Sequence, residues 1–273
     1  RDEVIRREVR QYEASWYDSD KIKLSRDRVD RLGFFNDVSV DTQEVPGAPD
    51  QVDVTMAVQE KPTGSLQLGA GYSSAEKVSL TFGIKQENVF GSGNYLGIDV
   101  NTSKYHRTLV VSTTDPYFTK DGIARTYDLY YRTDRPYDEQ GGNYQIVTTG
   151  GSVRFGIPFS ELDTVYVGGG VEHTRIKLGT NMPAAYMDYA TRYGDTSLNF
   201  PLTLGWSRDS RDSALAPNSG RFQKLNSEWS LFGDARYLKA NYQIQQYLPL
   251  SKRYTIALNG ELGWGKGMGG KAF

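Results

Sequence analysis

The chain has 273 residues with 32 basic and 33 acidic side chains, and its net charge of -1 provides no global field that would attract nucleic acid. It has no cysteine, which excludes disulfides, thiol catalysis and cysteine-ligated zinc, and it has no run of about 18 apolar residues, which excludes a transmembrane helix. A transmembrane β-barrel stays open, because its strands expose apolar residues on one face only.

The first part of the chain predicts two helices followed by two strands. Apolar residues recur near helical spacing from Asp2 to Ser15. A second helix is expected to be capped by Asp18 or Ser19. It should run to Leu32 and stop at Gly33. Two alternating segments joined by the turn sequence PGAPD then predict strands at residues 38–45 and 51–60.

From Gly64 onward, apolar residues alternate with polar or small ones in segments of about nine to eleven residues, the length that a tilted strand needs to cross a bilayer. The second face carries residues such as Asp99, Asp128 and Glu261, which a dry core would not tolerate unpaired. We therefore expect an antiparallel transmembrane β-barrel, polar inside and apolar outside. About eleven strands are predicted, near residues 65–73, 77–87, 94–103, 107–115, 123–133, 144–157, 164–177, 197–208, 221–232, 236–248 and 253–265.

The strand count and the connections add two expectations. An odd number of strands does not close a bacterial barrel, so we expect further strands beyond Phe273. The connections alternate between a variable set, such as KYHR and FGDAR, and a set rich in Gly, Pro and Asp, such as DPYFTKDG and PFSELD. If the helical domain is periplasmic, the variable set is extracellular and the second set is periplasmic.

The sequence gives little indication of a catalytic site. His106 and His173 are the only histidines, they lie far apart, and no Ser-His-acid spacing is visible. We expect no enzyme, since a catalytic site would require His173 to meet a Ser or Asp across the barrel lumen.

The stretch WSRDSRDSALAPNSGRF, residues 206–222, clusters charges between two predicted strands. Two of its carboxylates and Asn218 loosely resemble a calcium loop but lack the EF-hand pattern of alternating ligands with a closing Glu. We interpret the stretch as a turn in which two arginines pair with two carboxylates while a proline and a glycine reverse the chain. The residues are Arg208, Arg211, Asp209, Asp212, Pro217 and Gly220.

Several long motifs resemble the BamA family of outer-membrane barrel-assembly proteins. The first part of the chain resembles the last POTRA domain of that family, through RREVRQYE (6–13), DRLGFFNDV (30–38) and PGAPDQVDV (46–54). The rest resembles its barrel, through TGSLQLGAGY (63–72), QENVFGSG (86–93), DPYFTKDG (115–122) and GWGKGMGGK (263–271). The first POTRA strand would precede Arg1, and the V-R-G-[FY] motif of the family would follow Phe273.

The resemblance implies an α+β POTRA domain at residues 1–62, lacking its first strand, followed at residues 63–273 by an antiparallel transmembrane β-barrel with about eleven of an expected sixteen strands. It implies a machine in the bacterial outer membrane, with its POTRA domain in the periplasm, that folds and inserts β-barrel proteins. No nucleotide, metal or other cofactor is implied. The implied partners are barrel clients, lipoprotein subunits of the machinery, periplasmic chaperones and membrane lipid, and no nucleic acid.

The first barrel strand suggests a mechanism. A strand edge that lacks a partner is a template for another strand, and glycines weaken a strand by up to about 1 kcal/mol each. Client strands would therefore pair with this edge at a weak lateral seam, the junction between the first and the last strand of the barrel. Alternatively, the glycines only relieve crowding inside the barrel. The candidate residues are Gly64, Ser65, Leu66, Gln67, Leu68, Gly69, Ala70, Gly71 and Tyr72.

The sequence also offers a second candidate surface and a competing function. The predicted helix from Arg6 to Glu13 resembles the family surface that meets a lipoprotein, although a charged helix face is more often only solvated. The competing function is the POTRA-barrel secretion transporter of a two-partner system, which would export a soluble substrate and conduct ions. A passive porin is disfavoured, since porins need no POTRA module.

Overall fold

The computed structural model describes residues 1–74, 77–135, 144–179, 183–213, 217–251 and 254–270. The chain divides into two compact units, one formed by Arg1–Leu66 with Ile84–Leu96 and the other by Gln67–Gly83 with Gly97–Phe273. None of the helices in the described ranges is long and apolar enough to cross a membrane.

The first unit contains helices α1 (Asp2–Arg6) and α2 (Ser19–Arg31). The predicted cap of α2 is confirmed, because the Asp18 side chain accepts hydrogen bonds from the backbone N–H groups of Asp20 and Lys21 at 3.0 and 3.2 Å. The helix ends with Leu32 as its C-cap residue, next to Gly33.

Helix α1 is shorter than predicted, since it ends at Arg6 instead of continuing to Ser15. The backbone N–H of Arg10 does not continue the helical ladder but donates to the Oγ atom of the buried Ser25 at 2.8 Å. Ser25 belongs to α2, so a contact between distant segments overrides the local helical pattern. The expectation that Arg6 and Glu13 share one helix is therefore wrong.

The strands of this unit are β1 (Phe35–Val45) and β2 (Ala48–Glu60), which pair antiparallel across a turn at Pro46 and Gly47. The predicted order helix, helix, strand, strand is confirmed. One face of this small sheet packs on the helices. The core consists of Val4, Val29, Phe34 and Phe35, with Ile5, Leu32, Val38, Met56 and Val58 against it.

The remaining strands form one sheet in which every strand pairs with its neighbours in the chain, and the predicted eleven strands are confirmed. Nearest-neighbour pairing fits the short connections, because antiparallel strands can be joined by tight turns. The strands are β3 (Gly64–Ser73), β4 (Lys77–Gln86), β5 (Tyr95–Thr102), β6 (His106–Asp115), β7 (Ala124–Asp134), β8 (Gln145–Pro158), β9 (Asp163–Lys177), β10 (Thr196–Asp209), β11 (Gly220–Gly233), β12 (Ala235–Pro249) and β13 (Thr255–Gly270).

The two faces of the sheet differ in polarity, as the alternation predicted. On one face, which we call the apolar face, large side chains such as Leu68 and Leu262 are 71% and 73% exposed. The opposite, polar face carries hydrogen-bonded side chains that link neighbouring strands. Examples are Ser112 with Asp128 at 2.6 Å, Asn241 with Glu261 at 2.6 Å and Thr114 with Thr126 at 2.9 Å.

Helix α3 (Ala184–Tyr193) lies in the connection between β9 and β10, for which the sequence predicted no helix. Its tyrosines Tyr186 and Tyr189 pack against the buried side chains of Tyr144 and Ile176. Burial raises the pKa of the Tyr189 hydroxyl. Pro183 before the helix and Gly194 after it are ordinary start and stop signals, and they are the feature of the sequence that could have revealed it.

Candidate functional site: the first strand of the sheet

Strand β3 forms one edge of the eleven-stranded sheet. It pairs with β4 on one side, and within the described ranges no strand pairs with its other side. All ten of its residues are exposed. Backbone N–H and C=O groups are the groups through which an edge strand pairs with a further strand. All nine residues that the sequence singled out, from Gly64 to Tyr72, lie on this strand.

The side chains of β3 follow the two faces of the sheet. Leu66, Leu68 and Tyr72 are 64%, 71% and 74% exposed and alternate with polar or small residues. On the polar side, Gln67 lies beside Gly83 of β4, where an added Cβ atom would stand 3.6 Å from the Cβ of Gln67 and 3.1 Å from Oδ1 of Asp99. The strand thus has an apolar row facing outward and a row that fits tightly against its neighbour.

The three glycines of β3 stand in different surroundings. A Cβ atom at Gly64 would lie 2.5 Å from Oε1 of Gln86, and one at Gly71 would lie 3.0 Å from Oγ of Ser79, so these two positions relieve crowding. At Gly69, an added Cβ would make an ordinary contact of 3.5 Å with Thr81. Crowding therefore explains two of the glycines and leaves Gly69 without a steric reason.

The beginning of β3 is fixed by hydrogen bonds to the segment that ends β4. The backbone N–H of Glu87 donates to the carbonyl oxygen of Thr63 at 3.1 Å, and the Gln86 side chain donates to the Thr63 hydroxyl at 2.8 Å. The strand is therefore held at its start and along one side.

The second candidate pair, Arg6 and Glu13, is brought together although the two residues do not share a helix. The guanidinium of Arg6 donates to Asp2 at 2.6 Å and to Glu13 at 3.0 Å. Both side chains are well exposed, at 67% for Arg6 and 91% for Glu13. The hydrogen bond that Arg6 donates to Asp2, followed by the negative charge of Asp2 and by Glu13, raises the pKa of Arg6.

The charged turn between β10 and β11 is only partly self-paired. Arg211 donates two side-chain hydrogen bonds to Asp209, at 2.9 and 2.7 Å, as predicted. Arg208 instead pairs with Asp163 of β9 at 3.5 Å, so its predicted pairing within the turn is wrong. The register explains the difference, because Arg208 lies directly opposite Asp163 on the neighbouring strand.

The other carboxylate of this turn, Asp212, binds backbone instead of an arginine. It accepts N–H hydrogen bonds from Asn218 and Ser219 at 2.9 and 3.1 Å, and these bonds lower the pKa of Asp212. Gly220 has a φ of +101°, and a Cβ there would collide with the carbonyl oxygen of Ser210, so only glycine fits. In the part of the chain that the structure describes, no three acidic or histidine side chains gather as metal ligands.

Two family models match the chain. The model described as the Omp85 superfamily domain matches residues 88–273, and the POTRA model, described as a surface antigen variable number repeat, matches residues 1–61. The chain is 36% identical to outer membrane protein assembly factor BamA of Neisseria meningitidis serogroup B. That match covers 98% of the chain but only 35% of the relative's length.

Several solved structures resemble the chain, and two of them show how far the likeness extends. The crystal structure of BamA from Haemophilus ducreyi lacking POTRA domains 1–3 has a TM-score of 0.73 and 27% identity, and the match covers 98% of this chain and 53% of that one. CdiB from Escherichia coli has a TM-score of 0.56 at 15% identity, covering 98% of this chain and 52% of that one. The second likeness shows a shared fold alone.

Proposed function

The chain belongs to the Omp85 superfamily, and from this membership we propose that its full-length protein is an assembly factor that folds and inserts β-barrel proteins. The barrel lies in the outer membrane. The proposal is supported by the 36% identity to an assembly factor over 98% of the chain. We assign residues 1–62 to a POTRA domain in the periplasm and residues 63–273 to the barrel.

The position of β3 as the first strand of the sheet is the observation that supports this function. A client strand that reaches the membrane exposes backbone N–H and C=O groups, and leaving them unsatisfied in lipid costs several kcal/mol per group. The edge of β3 offers the complementary row of groups, so a client can satisfy its backbone before it meets lipid. This step requires no nucleotide or other cofactor.

The seam that β3 borders is proposed to be weak. Gly69 has room for a Cβ atom but lacks one, and glycine in a strand costs up to about 1 kcal/mol relative to alanine. We propose that this missing side chain lowers the free energy needed to open the sheet along β3.

The exposed pair of Arg6 and Glu13 is proposed as the docking surface for a lipoprotein subunit of the machinery. The hydrogen bond between them holds one positive and one negative group side by side in solvent. A partner with complementary charges can recognise such a pair. Barrel clients and periplasmic chaperones are proposed as further partners of the full-length protein.

A reconstitution experiment tests the function directly. Full-length protein in liposomes should speed the membrane insertion of an added, urea-unfolded barrel client relative to empty liposomes. The competing secretion transporter predicts large ion conductance without faster client insertion. Absence of acceleration together with large conductance would overturn the assembly function.

A further inference from the structure

Arg125 places a positive charge on the apolar face of the sheet, near the end of a hairpin. Arg125 is the second residue of β7, next to the turn that connects this strand to β6. It is half-buried and shares its side of the strand with Tyr127, Leu129 and Tyr131, which are 46%, 63% and 42% exposed. A charged side chain therefore interrupts a row that is otherwise apolar.

Aromatic rings hold the Arg125 guanidinium in place. Its central carbon lies 3.9 Å from the ring centroid of Phe118 in the β6–β7 turn and 5.2 Å from that of Tyr127. Phe118 in turn packs against Phe155 at 6.0 Å between centroids, and Phe155 lies opposite Arg125 on β8. Stacking on ring faces is a favourable arrangement for guanidinium, and it fixes the plane of the group.

Among the described residues, no acidic side chain forms an ion pair with Arg125, and none accepts a hydrogen bond from it. Its buried Nε atom lacks an acceptor. The carboxylate opposite it in the register is Asp115, which accepts the backbone N–H of Tyr117 at 3.1 Å. By contrast, Arg208 and Arg175 both have carboxylate partners, at 3.5 and 3.7 Å.

An uncompensated cation is costly where the face of a barrel meets hydrocarbon, and the cost falls towards the interface, where lipid phosphates stand. Arg125 lies at the end of its strand, and aromatic side chains such as those around it favour the interface. We propose that Arg125, held by Phe118 and Tyr127, binds the phosphate of an anionic lipid headgroup. The guanidinium fork matches phosphate geometry, and the lipid phosphate supplies acceptors for its terminal nitrogens.

Lipid binding to the full-length protein in detergent tests this site. Native mass spectrometry with phosphatidylglycerol should detect a bound lipid whose apparent affinity falls about tenfold in Arg125→Gln, since a charge-assisted hydrogen bond is lost. Arg125→Lys keeps the charge but not the fork, so it should bind with intermediate affinity. Phosphatidylcholine should bind more weakly than phosphatidylglycerol, because its choline group neutralises the phosphate.

Arg107→Gln is the matched control. Arg107 also stands on the apolar face of the β6–β7 hairpin, at its opposite end and opposite Thr133 in the register, and it is exposed. This variant should retain the bound lipid. Equal losses in the Arg125 and Arg107 variants, unchanged binding in Arg125→Gln, or equal binding of the two lipids would overturn the proposal. Displacement of the lipid by inorganic phosphate would assign the site to free phosphate instead.

Discussion

Tyr130 donates a hydrogen bond to Glu172 Oε2 at 2.9 Å across an intervening strand, because Gly150 between them has no side chain. The three residues are aligned in the register, with Tyr130 on β7, Gly150 on β8 and Glu172 on β9. A Cβ atom at Gly150 would stand 2.5 Å from Cζ of the tyrosine ring. The ring therefore lies over the glycine and joins three strands on the polar face.

This arrangement predicts that Gly150→Ala destabilises the barrel. The added methyl group must push the Tyr130 ring away, and overpacking of this kind costs about 1–3 kcal/mol. Tyr130→Phe should lower the free energy of unfolding less, by about 1 kcal/mol, because it removes the hydrogen bond and keeps the ring. The unfolding temperature of the full-length protein measures both effects. The control is Gly263→Ala, where the nearest neighbour of an added Cβ is 4.0 Å away, and equal stability of the two alanine variants would contradict the prediction.

If the seam is weakened by Gly69, a substitution at this position should change the rate of client insertion. Gly69→Ala adds a side chain where there is room, which should stiffen β3 and slow client insertion by up to about fivefold if opening limits the rate. Gly263→Ala on β13 also adds a methyl group on the polar side of a strand, so it is the matched control and should insert clients normally. The assay is the rate of client insertion in liposomes. Equal rates for Gly69→Ala and the unmodified protein would argue against a glycine-weakened seam.

The turn between β10 and β11 predicts a pH-dependent loss of stability. Backbone hydrogen bonds from Ser219 and Asn218 lower the pKa of Asp212 below its ordinary value of 3.8. Its contribution is therefore complete above that value and is lost as the pH falls through the lower pKa of the folded state. The difference in unfolding temperature between the unmodified protein and Asp212→Asn should be constant at neutral pH and shrink below pH 3.8.

The second carboxylate of the turn, Asp209, gives a comparison at neutral pH. Asp209→Asn weakens the pair with Arg211, which should cost about 0.5 kcal/mol because the pair is partly exposed to solvent. A fall of the unfolding temperature of the unmodified protein on addition of a chelator would show that the turn holds a metal ion and would contradict its assignment as a hydrogen-bonded turn.

The pair of Arg6 and Glu13 predicts a change in partner affinity. Glu13→Gln and Arg6→Gln should each weaken binding of a lipoprotein subunit by up to about fivefold, since an exposed charge pair is worth at most about 1 kcal/mol. Arg26→Gln removes an exposed arginine of α2 that pairs with Asp27 at 2.9 Å, and it should leave binding unchanged. Titration of the purified subunits measures the affinities, and an equal effect of all three variants would indicate only general electrostatics.

Much of the fold follows from the sequence, because period-2 alternation is a strong signal and most connections between strands are short. The eleven strands and the resemblance to the BamA family are confirmed. The features of the structure that the local sequence pattern could not predict depend on contacts between distant segments. The bond from Arg10 to Ser25 ends α1 early, and the pairing of Arg208 with Asp163 requires the register of β9 and β10. The role of Gly150 likewise depends on which tyrosine stands beside it.

The strand order has a consequence for how the sheet itself is built. Within the ranges that the structure describes, the strands from β3 to β13 pair with their neighbours in the chain, so none of these pairings waits for a distant segment to arrive. Such local topology has a low contact order and a small loop-closure cost at every step. The sheet can therefore grow one hairpin at a time, and each new strand finds its partner in the strand formed just before it.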